Sequence, residues 1–547
     1  MNNKLIFLVG AVILFLKIFI IDTDPPKWDI SLYQPIDEPY YTYLAYNYFE
    51  TGTLFANDGP VLTGNPLLTN LITYLSLETF GDNYLGLRFS SLFLSIVAYT
   101  FFVLLLQRIV RNSMLQLGAV LFFTLNFSFT TANIVVEPTI ARMMAAMLVL
   151  WLVVRWEEKS GNSYRDIIWK SAIVCFLFLI SYPTNAFLLG AAYISLIVLK
   201  NPFGSKMFSR EKLMQILIQS LYFVTGIIIS LLLYYALIRI LGGNLLKDVN
   251  LATSTFGGRF AIVPKDILLN WIKLVAGNFF RFNPLFLVLT VLSLSITIVK
   301  GWRELNRSVY VTMIFVAFFI IQSAFINDFP QRKLLILLPF LILLSFYGFE
   351  LMWRKVSTMK NITSFWLIIL SVVPLVFLIY LERDYFRSHT FTVVTAIVGV
   401  CVLLTFFLTE IKKKTISYIL YGLLLLPEIL LLTDHYILQP TYNYKNTYKS
   451  LNTYNGKNFI GGYSMGFRVG NNIVPHYNLY FYSKKKDEFW KNMERLSCNG
   501  LQDYSIGYAN DEENFRKIGF KPVEVLMPSE QTVYNKDWIL YKEVRDK

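Results

Sequence analysis

The residues of this chain best suited to chemistry are two adjacent carboxylates, Asp37 and Glu38, in the stretch YQPIDEPYYTYLAYNYFETG (33–52). One acid of such a pair can take the proton of an attacking hydroxyl while the other orients it or the acceptor. The pair can also do something plainer. Pro39 suits the first position of a helix, which makes Glu38 its N-cap, and an acid there complements the helix dipole. Weighed on these residues alone, capping is the better-supported reading. A cap needs one acid, however, and this loop places two. Metal chemistry has less footing. His389, His435 and His476 are scattered, and Cys175, Cys401 and Cys498 lie far apart, the first two within apolar runs. Neither set has the spacing of a ligand cluster or of a disulfide framework. No cofactor is indicated, a divalent metal included.

The elements that must hold the acids follow from periodicity. Tyr40, Tyr41, Leu44, Ala45, Tyr48 and Phe49 recur at helical spacing, and Gly52 stands where that helix would end. A second amphipathic helix is expected over 66–79, with Leu67, Leu68, Leu71, Ile72 and Leu75 on one face. Both helices suit the membrane interface, where aromatic side chains are favoured.

The membrane itself is read from composition. The chain has 547 residues, of which 55% are hydrophobic and only 16% charged, against roughly a quarter charged in soluble domains. Apolar runs long enough to span about 30 Å of hydrocarbon fall at 4–21, 86–107, 113–131, 140–154, 167–182, 185–199, 213–240, 283–299, 308–326, 334–352, 362–381, 390–409 and 416–433. This predicts about thirteen transmembrane helices. The first run is followed by DTDPPKW and not by a small-residue cleavage site, so it reads as a retained helix. The net charge of +14 is spread over short basic loops such as QRIVRN, KNPFGSKMFSREK and EIKKKT. That distribution records orientation, with these loops and the N-terminus cytoplasmic, and excludes a nucleic-acid partner. Residues 1–434 thus form a membrane domain whose long loop, 22–85, lies outside. Residues 435–547 alternate strand-like and helix-like runs, which predicts a small α/β domain, and an odd number of crossings places it outside as well.

Together these residues carry a resemblance. Asp37-Glu38, then Asn65-Pro66-Leu67, Phe80-Gly81 and Arg88, in that order and spacing, resemble the membrane-embedded glycosyltransferases of the GT-C class. The nearest branches are the dolichyl-phosphate-mannose protein mannosyltransferases and the bacterial aminoarabinose transferases. The detailed likeness covers residues 1–150, and the order of helices with an outside C-terminal domain extends it along the chain.

The resemblance implies a GT-C fold and a reaction in which a sugar passes, with inversion, from an isoprenyl-phosphate carrier to an acceptor hydroxyl at the outer membrane face. Such chemistry needs a base for the acceptor's proton and a cation for the leaving phosphate. By the family pattern Asp37 is the base and Glu38 orients it or the acceptor. Glu137, in IVVEPTIARMM, resembles a second acid that the aminoarabinose transferases carry before a proline; other members place an Asp where this chain has Met143 and Met144. Arg332-Lys333, ahead of Pro339, resembles a basic pair that would contact the carrier phosphate, although the usual tyrosine is missing. Arg88 and Arg142 are further cationic candidates, and Lys17 is expected to snorkel toward the outer surface. The implied partners are a polyprenyl-phosphate sugar, membrane lipids and a protein or glycolipid acceptor. High Lys, Asn and Ile usage with short loops favours a bacterial inner membrane, with the C-terminal domain periplasmic.

Two other readings compete. A transporter or flippase for lipid-linked glycans would line its path with ionisable residues within the spans, whereas here the spans look nearly free of charge. A non-catalytic polyprenyl-lipid-binding relative would keep the loop and lose the second acid. Orientation is directly testable. In a cysteine-free background, thiols introduced at Ser357 or Lys413 are expected to stay unlabelled by an impermeant reagent in sealed cells, while Cys498 restored alone is labelled. Labelling at Ser357 in sealed cells would reverse the topology.

Overall fold

The computed structural model describes residues 3–25, 38–42, 44–45, 48–49, 52, 66–136, 138–158, 163–182, 185, 188–198, 210–243, 265, 278–299, 306–324, 331–355, 372–408, 413–451, 458–460, 472–473, 490, 504–528 and 537–544. Asp37, Asn65, Glu137 and Cys498 lie outside the described residues, and of Arg332 and Lys333 only the backbone is described.

Helices fall on all thirteen apolar runs, in whole or in part. Among the described residues, six of them are long and apolar enough to cross a bilayer unaided: Asn3–Ile20, Tyr84–Ile109, Pro138–Trp156, Leu213–Ile240, Leu334–Met352 and Thr415–Leu451. A seventh joins them if Ser113–Leu125 and Phe127–Asn133, set at 52° to each other, are one broken span. By that criterion the number is smaller than thirteen because several runs form short helices, such as Leu188–Ile197 and Thr390–Thr405. The chain is a multi-pass integral membrane protein. Its centre is the Leu334–Met352 helix, 94% of which is buried, against 17% for the peripheral Leu213–Ile240 helix.

The break in the third run shapes the site. Asn126 leaves helical geometry, at φ −57° and ψ 127°, and its side chain accepts from Phe129 N. A backbone N–H freed at such depth must find an acceptor, because lipid offers none. Glu428 supplies it. Its carboxylate, fully buried, accepts from Phe127 N at 2.6 Å, Asn126 Nδ2 at 3.1 Å and Asn283 Nδ2 at 3.0 Å. Buried Lys17, Arg142 and Glu428 correct the expectation of nearly charge-free spans. Glu428 at least is explained by packing.

The loop helix Leu67–Phe80 stops at Gly81, whose φ of +81° suits a residue without a Cβ. Asn83 then caps the next helix, Tyr84–Ile109, by accepting from Gly86 N at 2.9 Å. A Cβ on Gly86 would collide with the Gly81 carbonyl oxygen, so the turn closes only because both positions are glycine. This reversal sets Arg88, just inside the second long helix, beneath the first loop.

The C-terminal region forms a five-stranded mixed sheet from β1 (Asn458–Ile460), β2 (Asn472–Ile473), β3 (Tyr504–Tyr508), β4 (Phe520–Met527) and β5 (Trp538–Glu543), in the order β2-β1-β3-β5-β4. β1 runs parallel to β2 and β3, and β5 antiparallel to β3 and β4. Strand alternation serves two cores. Trp538 and Leu540 join Ile506, Met527, Tyr444 and Leu451 on one face, while Ile539 and Tyr541 join Phe515 and Phe520 on the other. The helix Asn443–Leu451 therefore packs with the sheet, whereas Tyr436, a few residues earlier, packs in the membrane core. An all-α membrane region with a small α/β C-terminal unit is the architecture expected from the sequence.

Candidate active site

Glu38 opens the short helix Glu38–Tyr41 but does not cap it with its carboxylate. The side chain reaches across to Arg88, with Nε donating to Oε1 at 2.8 Å and Nη2 to Oε2 at 3.0 Å. Val136 N donates to Oε1 as well, at 2.9 Å. The remaining reach of Arg88 goes to backbone: Nη1 donates to Ile21 O at 2.9 Å and Thr23 O at 2.8 Å. The guanidinium also stacks 4.6 Å from the Tyr84 ring centroid. Both partners are buried, at 0% and 2% side-chain exposure. Four segments thus meet on one ion pair: the end of the first helix, the loop, the second long helix and the turn before Pro138.

The neighbouring contacts hold that meeting point. Asn70 fastens the two loop helices together, donating to Tyr41 O at 2.9 Å and Pro66 O at 3.0 Å and accepting from Ala45 N at 3.0 Å. Thr73 Oγ1 donates to Ser90 Oγ at 2.9 Å, which ties the second loop helix to the Arg88 helix. Ser91 Oγ donates to Val135 O at 3.1 Å and draws in the segment that precedes Glu137. Glu38 and the Val135–Val136 segment are therefore held together. One turn beyond, Arg142 Nε donates to Asn185 Oδ1 at 2.9 Å and lies 5.5 Å from the Tyr182 ring centroid. The Arg332-Lys333 pair falls in the 3-10 helix Gln331–Leu337, which packs against the Arg142 helix. Among the described residues no group of three or more His, Cys, Asp or Glu side chains is placed to hold a metal.

Asp24 was not among the sequence candidates, yet it is buried beside this pair. Its backbone N–H donates to Thr441 O at 2.9 Å, its Oδ2 accepts from Asn443 N at 2.6 Å, and His435 Nε2 lies 3.0 Å from its carbonyl oxygen. Next to it Asp22 pairs with Lys445. Burial pushes the Asp24 carboxyl up to about 7, against the opposing pull of the Arg88 charge and the Asn443 and Tyr444 amides. The acid thus joins the first loop to the chain that enters the C-terminal sheet. Its only sequence signal was a charged DTD directly after an apolar run.

The bundle of broken helices, the loop folded onto the N-terminal end of the second long helix and the appended sheet make up the GT-C architecture of membrane glycosyltransferases. Over nearly its whole length the chain is similar in structure to ArnT from Cupriavidus metallidurans, an aminoarabinose transferase of that class. The likeness to the crystal structure of ArnT bound to undecaprenyl phosphate has a TM-score of 0.58, at 12% identity over 99% of this chain and 98% of that one. For ArnT in the apo state the TM-score is 0.55, at 12% identity over 99% of each chain. No protein-family model matches the sequence, and no curated protein matches it.

Two outcomes test this geometry. Arg88→Met leaves the Glu38 carboxylate buried and uncompensated, so it is expected to destabilise by about 3–5 kcal/mol. The double change Glu38→Gln with Arg88→Met should recover part of that loss, read as thermal stability in detergent. Additive losses would mean that the two residues act separately. For Asp24, a carboxyl whose folded pKa lies above its ordinary value stabilises fully at low pH and loses that contribution as pH rises through about 7. The wild-type melting temperature should therefore fall between about pH 5 and pH 8, and Asp24→Asn should remove about 2–4 °C of that fall. An identical slope in the variant would acquit Asp24.

Proposed function

We propose that this protein is a glycosyltransferase that moves a sugar from an isoprenyl-phosphate carrier to an acceptor hydroxyl at the outer membrane face, with inversion at the anomeric carbon. The observation that carries this reading is the state of Glu38. Both of its oxygens are committed to Arg88 and Val136 N within a buried ion pair. Proton transfer therefore falls to its neighbour Asp37, and Glu38 anchors the loop that presents it.

In the proposed step the acceptor oxygen attacks the anomeric carbon as its proton passes to Asp37. The anomeric carbon–oxygen bond to the carrier breaks, and its electron pair leaves with the phosphate. Arg332 and Lys333 stabilise the charge gathering there. Glu137 follows directly on Val136, the residue that touches Glu38, and is assigned to orienting the acceptor. Arg88 is better assigned to positioning Glu38 than to the phosphate, because its donors face a carboxylate and two carbonyls. The ligand in the ArnT structure, undecaprenyl phosphate, supports an isoprenyl phosphate as the carrier class. Residues 435–547 are assigned to the outer face, where they would select the acceptor.

Asn resembles Asp in size and local hydrogen bonding but is no base. Asp37→Asn is expected to keep its thermal stability and its affinity for the lipid carrier, while transfer from a polyprenyl-phosphate sugar falls by roughly 10²–10⁴-fold. Near-normal transfer by this variant would remove Asp37 from the role of base.

A further inference from the structure

Lys17 does not snorkel. It lies on the inward stripe of the first helix with Ile6, Gly10, Leu14 and Ile21, all buried, while Leu8, Val12, Phe15 and Phe19 face outward. Lys17 itself is 6% exposed, and among the described residues its Nζ has no hydrogen-bond partner; the Phe129 ring lies 4.9 Å from Nζ to centroid. Four residues along the helix Phe127–Asn133, on the same face as Phe129, Asn133 is buried with its amide nitrogen also unpartnered. Its oxygen is taken by Ser95 Oγ. Two buried donors, the Lys17 amine and the Asn133 amide, therefore lack an acceptor among the described residues. Among the described acids, Glu38 holds Arg88, Glu428 holds the break at Asn126, and Asp24 accepts from Asn443 N through Oδ2 while its Oδ1 is unpartnered. A water molecule would satisfy the donors but leave the charge uncompensated within a membrane span.

We propose that Lys17 and Asn133 form a holding point for the phosphate of the isoprenyl carrier, one helical turn to the membrane side of the Arg88 contact at Ile21 O. This rests on the carrier chemistry proposed above. The location fits a lipid phosphate, since Lys17 stands at the end of the first span, close to the acid-bearing loop, where a headgroup meets its tail. Phosphate answers both donors with oxygen acceptors and carries the missing charge.

The test is a titration of the detergent-solubilised full chain by native mass spectrometry with undecaprenyl phosphate, undecaprenol, phosphatidylglycerol and inorganic phosphate. The wild type should prefer undecaprenyl phosphate to undecaprenol. Lys17→Met should weaken undecaprenyl phosphate about 10- to 100-fold, leave undecaprenol unchanged, and melt no lower than the wild type without ligand. Asn133→Leu should weaken the same ligand less, and supplies the answer should Lys17→Met not fold. Wild-type affinity for undecaprenyl phosphate in the folded variants would overturn this inference alone. Equal competition by phosphatidylglycerol or inorganic phosphate would overturn the carrier assignment of the site. A wild type without affinity for undecaprenyl phosphate would overturn the carrier reading itself, and this inference with it.

Discussion

The buried pair of Glu38 and Arg88 is the constraint around which one end of the membrane region is arranged. Two charges removed from water are tolerated only where their lone pairs and protons are all answered. Here the answers come from separate parts of the chain: the carbonyls of Ile21 and Thr23, and the amide of Val136. The ends of three membrane helices must therefore stand at fixed distances from one loop. The glycine turn at 81–86 and the Asn70 bridge are consequences, since each brings an element to the depth the pair demands.

The same logic operates deeper in the bundle. A helix that breaks at Asn126 inside the membrane is tenable because Glu428 and Asn283 enclose the freed polar groups. The break turns the following segment by 52°, and beyond it Val135 O accepts from Ser91 while Val136 N donates to Glu38. The arrangement around the Glu38–Arg88 pair thus depends on a polar cluster deeper in the bundle.

Much of the scaffold was legible in the sequence because it rests on local rules. Apolar runs marked the helices, periodicity marked the second loop helix over 66–79, and the α/β character of the last hundred residues followed from alternating strand-like and helix-like runs. What escaped was the choice of long-range partner. Glu38 carried every local sign of an N-cap, yet its carboxylate found Arg88, 50 residues away, and the amide of Val136, 98 away. Lys17 was expected to reach outward by residue type, although its spacing from Gly10 and Leu14 already placed it on the inward stripe. Asp24 had no signal beyond its charge, because its partners are supplied by the far end of the chain.

That last feature bears on how the protein is made. The first loop leaves the ribosome early, but Asp24 meets His435 and Asn443 across 411 and 419 residues. Until those residues have been synthesised and inserted, the carboxylate has no amide to accept from, and the root of the loop lacks one of its walls. The acid-bearing loop is thus assembled among the last parts of the molecule, although it is translated among the first. A nascent chain halted anywhere in its membrane region lacks the residues that hold the root of this loop.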